Sequence, residues 1–401
     1  MFKKLIKINN TYGAQNYKCA PVIINEGYNI YLKDINGKKY FDYLSSYSSI
    51  NQGHCHPKLV ETMKKQCEKL TLCSRAFHNE NLIQFYEFMN HTFNYDKCLP
   101  MNTGVEAGET AIKLARLWGY KEKKIKKNKA KIVVANNNFW GRTITACSSS
   151  SDPLCYNNFG PYTPGFVHVD YNNIRQLEFM FKNVPNIAAF MVEPIQGEAG
   201  IIIPDNDYLY NVRDLCNKYN ILLICDEVQT GLGRTGRMLA SDCYKIKPDI
   251  LILGKALSGG MMPISAVLAN NNIMDLIDPG SHGSTFGGNP LASKIAIEAI
   301  KIIIDEDLSY NAEIMGMMFR KSLMPFKDYY VKDIRGVGLL NAIEFFTSSH
   351  AEQFVNNCRD NGLLTKITHK SIVRMCPPLI ITKEQMEESL NIIENQLIKI
   401  N

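Results

Sequence analysis

Short apolar runs alternate with stretches of helical period along most of this chain. Lys131–Ala135 (KIVVA), Ala188–Val192 (AAFMV), Ile221–Cys225 (ILLIC) and Ile250–Leu253 (ILIL) are each bounded by polar or turn residues. Continuous runs of this length predict strands buried on both faces, hence a parallel sheet covered by helices. Between them, Asp207–Tyr219 carries Leu209, Val212, Leu215 and Cys216 at helical spacing. Gly104 opens a second such stretch, with Ala107, Ala111, Leu114, Ala115 and Trp118 on one face. Strand and helix in alternation predict an α/β layer architecture.

The pattern changes after Pro290. Helices are expected over 291–305 and 312–323, and a strand over 333–345 bent at Gly336–Gly338. A final amphipathic helix is expected over 383–400, with Met386, Leu390, Ile393 and Leu397 inward. Near the start, Gly27–Asp42 reads as a hairpin turning at Asn36-Gly37. The expected organisation is an N-terminal segment 1–48, a large domain 49–290 and a C-terminal domain 291–401, the chain ends together making a smaller α+β domain.

Composition narrows the class. The 401 residues, 45% hydrophobic and 21% charged, exclude a disordered chain. The 26 Gly and 16 Pro without any period exclude a collagen-like one. No apolar run approaches the ~18 residues of a membrane span. The net charge of +6 is concentrated in Lys121–Lys131, which has no interleaved aromatics and reads as a solvated helix end, not a nucleic-acid surface. His54 and His56 look like metal ligands, but no second pair lies at zinc spacing, so no metal site is expected. The 12 cysteines include no CxxC pair, which fits the reduced thiols of a cytoplasmic protein. Cys147 and Cys155 flank a Ser-rich loop and are either inert thiols or a redox-sensitive pair open to a thiol partner. Met1–Ile8 is basic but lacks Arg and Ser, which disfavours a mitochondrial presequence.

The candidate chemistry begins at Lys255, which ends the apolar run DILILGK. A lysine there is costly unless its amine snorkels to water or is put to use; desolvated and neutral, it is a nucleophile toward aldehydes. Asp226 ends the ILLIC run in the equivalent place. Ligands of open parallel sheets bind outside the carboxyl ends of the strands. An amine and a carboxylate on one rim match pyridoxal phosphate, whose aldehyde the lysine takes and whose ring nitrogen the acid pairs. Thr103-Gly104-Val105-Glu106-Ala107 offers a helix N-terminus for the phosphate, and Gly283–Asn289 a second hydroxyl-bearing loop. No P-loop or dinucleotide fingerprint occurs.

The strings NQGHCHP, LTLCSRAF, MNTGVEAGETAIKLAR, NNNFWGRT, VEPIQGEAG, CDEVQTGLGRTG, LILGKALSGG and HGSTFGGNPLA, in this order, resemble the class III (subgroup II) aminotransferases. YGAQNY, SSYS and VRMCPPL are similar to the branch of that family that acts on ornithine. The resemblance spans the chain from Tyr12 to the last helix. It implies the type I fold of pyridoxal-phosphate-dependent transferases, with pyridoxal 5′-phosphate as cofactor. It implies that Lys255 holds the cofactor aldehyde, Asp226 its ring nitrogen and Gln229 its ring hydroxyl, with Phe139 stacked on the ring. Gly104 and Val105 would bind the phosphate, joined by Thr285 across a subunit boundary, so that a homodimer shares its active sites. For substrates the implied pair is ornithine and 2-oxoglutarate. Tyr17 and Tyr47 would line the ornithine end, Arg142 and Arg374 would each take a carboxylate, and Glu198 would cover Arg374 in the first half-reaction. N-acetylornithine or 4-aminobutyrate as donor, and a non-catalytic homologue, are the alternatives.

Overall fold

The computed structural model describes residues 1–400. Its central sheet has seven strands in the order 97–101, 265–269, 250–253, 222–226, 187–192, 131–135, 166–169. The four apolar runs become four neighbouring strands joined in parallel. Only Ser265–Ala269 runs against its neighbours, so Lys97–Met101 beyond it points the same way as the rest. The carboxyl ends of the parallel strands and of Lys97–Met101 therefore share one rim.

Both faces of this sheet are covered, as continuous apolar runs require. Ile132, Val134, Ile224 and Ile252 face the helix Gly104–Lys121 through Ala107, Ala111, Leu114 and Trp118. Val133, Phe190, Leu223 and Cys225 face Leu177, Phe181, Leu209 and Val212 on the other side. The helix Gly104–Lys121 starts where it does because Thr103 and Glu106 form a capping box. Pro290–Asp305 packs on helices Pro57–Cys67 and Glu80–Phe93, and the apolar core runs on through Leu291, Ile295 and Ile303 without a break at Pro290.

The two chain ends meet in one small sheet. Strands Ile24–Tyr28, Tyr31–Asp34 and Lys39–Asp42 form a meander, and Leu363 pairs in parallel with Phe41 at its edge. A second sheet orders strands 333–337, 340–344, 372–375 and 366–369. The single bent strand expected over 333–345 is instead a hairpin, with Val337 opposite Leu340. Gly338, at φ +55°, takes the left-handed conformation that reverses the chain.

Two features fix this C-terminal sheet against the rim. Arg234, fully buried, donates to the carbonyls of Leu339 (3.0 Å) and Pro377 (2.6 Å) and to Asn51 Oδ1 (2.6 Å). Ser45–Ser48 forms one left-handed turn, with φ of 48°, 47°, 60° and 69°. Each residue there costs roughly 1–2 kcal/mol relative to right-handed backbone. Asp42 holds the turn by accepting from the Leu44 and Ser45 N–H groups, and is itself paired to His54 at 2.8 Å. Ser45 Oγ donates to the Cys376 carbonyl at 2.7 Å. The turn thus hangs Tyr47 between the N-terminal sheet and strand Ile372–Met375.

Candidate active site

Two adjoining cavities open at the rim, and Lys255, Phe139 and Glu198 line both. The inner one, about 230 Å³, is lined by Gly104, Val105, Phe139, Asp226, Gln229 and Lys255 among others. Each side chain arrives there because its strand ends there. Asp226 closes strand Leu222–Asp226, and Lys255 follows strand Ile250–Leu253 after Gly254. Lys255 itself has φ +46°, a strained backbone for a residue with a side chain, in the pattern often found where geometry serves chemistry.

Electrostatics at this rim follow burial. Burial raises Asp226 to about 6, against the lowering effects of the Val228 N–H and of Lys255. Burial lowers Lys255, which favours the neutral amine. Glu193 is raised to about 8 by burial and by the nearby Asp226, so it carries a proton at neutral pH. Its two oxygens accept from the Phe139 N–H (3.0 Å) and the Gly197 N–H (3.2 Å), tying the loop that carries Phe139 to the QGEAG loop.

The lining fits pyridoxal phosphate. Thr103 Oγ1 and Glu106 satisfy the N–H groups of Glu106, Asn102 and Thr103, leaving those of Gly104 and Val105 without an acceptor among the described residues. Two free donors at the positive end of an 18-residue helix make a phosphate cradle. Gln229 Oε1 is buried without a partner, as an oxygen waiting for a ring substituent would be. A methyl group on Gly197 would lie 1.7 Å from that oxygen, so only glycine leaves Gln229 its position.

The outer cavity, about 410 Å³, gathers Tyr17, Tyr47, Arg142, Glu198, Lys366, Thr368 and Arg374. Arg374 is fully buried, and its Nη2 donates to Glu198 Oε1 (2.9 Å), the Gly197 carbonyl (3.1 Å) and Thr368 Oγ1 (3.1 Å). Its Nε and Nη1 have no partner. Burial acts to raise Glu198, but the charges of Arg374 and Lys255 outweigh it and hold the carboxyl below its usual range. Gln229 Nε2 also reaches Glu198 (3.3 Å), linking the two cavities. Arg142 lies 5.5 Å over the Phe139 ring.

Every residue expected at the site lines one of these cavities except Thr285. That residue is exposed in a separate hollow with Leu72, Ser74, Arg75, Gly283 and Ser284. Lys366, Thr368 and Glu193 are site residues that sequence reasoning missed. Glu193 stood inside the quoted string VEPIQGEAG, whereas nothing in the sequence near Lys366 marks it. His54 is spent on Asp42, and no cluster of three metal-binding side chains occurs among the described residues. Cys147 and Cys155 are free and buried, and burial pushes the Cys155 thiol up, away from a reactive thiolate. No described helix is long and apolar enough to cross a membrane.

The profile of the family described as aminotransferase class-III matches residues 12–397. The mitochondrial ornithine aminotransferase of Rattus norvegicus is 53% identical over 96% of this chain and 88% of its own length. The crystal structure of ornithine aminotransferase from Toxoplasma gondii superposes with a TM-score of 0.98 at 46% identity, covering 100% of this chain and 96% of that one. Acetylornithine aminotransferase from Elizabethkingia anophelis superposes with a TM-score of 0.91, also at 46% identity, over 99% of both chains.

Proposed function

This chain belongs to the class-III aminotransferases, and on that footing we propose that it moves the δ-amine of ornithine to 2-oxoglutarate. The products are glutamate and glutamate 5-semialdehyde, which closes to pyrroline-5-carboxylate. The observation that carries this reading is the pair of joined cavities, one lined by Lys255 and Asp226, the other by two arginines of which one is covered by Glu198.

Bound pyridoxal phosphate supplies an aldehyde that takes up the amine and a ring that accepts electrons from the neighbouring carbon. In this cavity Asp226 would pair with the protonated ring nitrogen, the Gly104 and Val105 N–H groups would receive the phosphate, and Phe139 would pack against the ring. Lys255 Nζ, its proton affinity lowered by burial, moves the proton at the reacting carbon. Glu193 holds Phe139 in place through its backbone N–H.

The substrates differ in where their carboxylates lie relative to the reacting carbon. Ornithine meets the cofactor with its far amine, so its carboxylate belongs at Arg142, with Tyr17 and Tyr47 along the chain. 2-Oxoglutarate reacts next to one carboxylate and needs Arg374 as well. Glu198 neutralises Arg374 while ornithine is bound and leaves it when the oxo acid enters. Donor and acceptor use one site in turn, which makes the kinetics ping-pong.

Thr285, exposed and away from both cavities, serves the phosphate site of a second copy in a homodimer. A redox exchange at Cys147 and Cys155 first requires the loop between them to open. The hydroxyl of Tyr17 favours a donor with a free α-amine over an acylated one. Ornithine and N-acetylornithine offered separately to the cofactor-loaded chain decide this: faster amine transfer from ornithine is expected, and preference for the acetylated donor overturns the assignment.

A further inference from the structure

Lys366 stands in the outer cavity with no ion-pair partner among the described residues. It lies on strand Lys366–His369, and its cross-strand partner in the antiparallel ladder is Arg374. Directly paired residues put their side chains on one face, and like charges so placed repel. The sole carboxylate of the cavity lining, Glu198, is engaged by Arg374 and not by Lys366. With Arg142, three fixed cations besides Lys255 face one carboxylate across this cavity. Such an excess is relieved only when a substrate brings negative charge.

The Lys366 ammonium also fixes the polarity of a neighbour. Its Nζ lies 3.0 Å from Tyr47 Oη and 5.6 Å from the centroids of both the Tyr17 and Tyr47 rings. An ammonium has only protons to give, so Tyr47 Oη accepts. The phenolic proton of Tyr47 has no other partner among the described residues and is left to point at whatever enters. Tyr47 is therefore presented as a donor, suited to a carboxylate and unsuited to an ammonium. Arg374 also stands 5.5 Å from the Tyr47 ring centroid, so two cations lie against the same ring.

We propose that Lys366 is a specificity-determining residue of this enzyme, one that demands a carboxylate on the substrate end remote from the reacting carbon. It does so by its own charge and by holding Tyr47 as a hydrogen-bond donor. The inference rests on the aminotransferase reading of the site but not on ornithine being the donor. It implies that dicarboxylic oxo acids and ω-amino acids are accepted, while the diamine lacking ornithine's carboxylate is turned away by a cationic wall.

The test uses the cofactor-loaded chain and glutarate, a plain dicarboxylate, as the probe. Lys366→Met is expected to weaken glutarate binding in calorimetry by ~10- to 100-fold, the scale for losing one hydrogen bond to a charged group. Lys366→Arg should recover most of it. The preference for ornithine over the corresponding diamine, as a ratio of kcat/KM, should shrink by a similar factor. Tyr47→Phe combined with Lys366→Met should cost less than the sum of the two, because one acts partly through the other. Lys366→Gln replaces the Met variant if the latter fails to fold. Unchanged glutarate binding in either neutral variant overturns the proposal. A wild-type chain that ignores ornithine yet loses glutarate with Lys366 would instead overturn the ornithine assignment and leave this inference standing.

Discussion

Glu198 meets Arg374 through a single oxygen and a single nitrogen, 2.9 Å apart, while Arg374 Nε and Nη1 remain without acceptors. A bidentate pair would lock both side chains and fill the guanidinium fork. The one-point contact does neither: it cancels charge but leaves donors on Arg374 uncommitted. Glu198 therefore screens the arginine electrostatically more than it blocks it.

Neutral variants of Glu198 separate these two roles. Both Glu198→Ala and Glu198→Gln should leave Arg374 an unscreened cation that attracts the α-carboxylate of ornithine and places its α-amine at the cofactor. The ratio of α- to δ-transfer products, measured by mass spectrometry, should rise ~10-fold or more in both variants. A rise in the alanine variant alone would show that the glutamate acts by filling space, and no rise in either would remove the gate.

The pH dependence of cofactor binding follows from Asp226. Burial raises this carboxyl to about 6 despite the lowering effects of the Val228 N–H and Lys255. A protonated ring nitrogen at the carboxylate lowers it, so binding expels the proton that Asp226 carries below that pH. Cofactor affinity should accordingly be flat from pH 7 upward as far as this group is concerned. It should fall as the pH drops through about 6, by up to ~10-fold per unit. Asp226→Asn should bind more weakly and lose that slope, which fluorescence titration of the cofactor can follow.

Tyr47 is placed by a turn that costs backbone energy, and that cost is testable. Ser46 is exposed at φ +47°. Ser46→Gly removes the steric penalty and should leave stability unchanged or raise it by up to ~1 kcal/mol, allowing for the glycine's extra chain entropy. Ser46→Val, branched at Cβ, should destabilise by ~1–2 kcal/mol. Denaturant unfolding of both variants reports the difference, and equal stabilities would mean the turn is unstrained.

A shared active site can be tested by mixing chains. Lys255→Ala lacks the amine, and Thr285→Ala should hold the cofactor phosphate weakly. In a mixed dimer with Thr285 acting across the interface, one site loses both groups and the other keeps both. Random assembly at limiting cofactor should restore about one quarter of wild-type activity, since half the dimers are mixed and each has one intact site. No restoration above the parent variants would place Thr285 in its own chain's site, or nowhere near one.

Much of this was legible in the sequence where one physical rule dominated. Four strands buried on both faces could only be continuous apolar runs, and Lys255 and Asp226 stood out because charge is expensive at the end of such runs. Strand Lys97–Met101 was not legible: KCLPM carries a lysine and a proline, tolerated at a sheet edge but a poor strand signal. The left-handed turn was equally hidden, since serine and tyrosine have no preference for that conformation and Asp42, His54 and Cys376 impose it from elsewhere. Lys366 escaped for a related reason. Its meaning lies in facing Arg374 across a ladder and Tyr47 across more than three hundred residues of chain, which no local pattern encodes.

The account stands or falls on which nitrogen Lys255 helps to move. Ornithine carrying isotopic nitrogen at the δ position, turned over with 2-oxoglutarate by the cofactor-loaded chain, should deliver its label to glutamate, and Lys255→Ala should deliver none. Label retained by the wild-type chain in the ornithine-derived product, or equal transfer by the alanine variant, would contradict it.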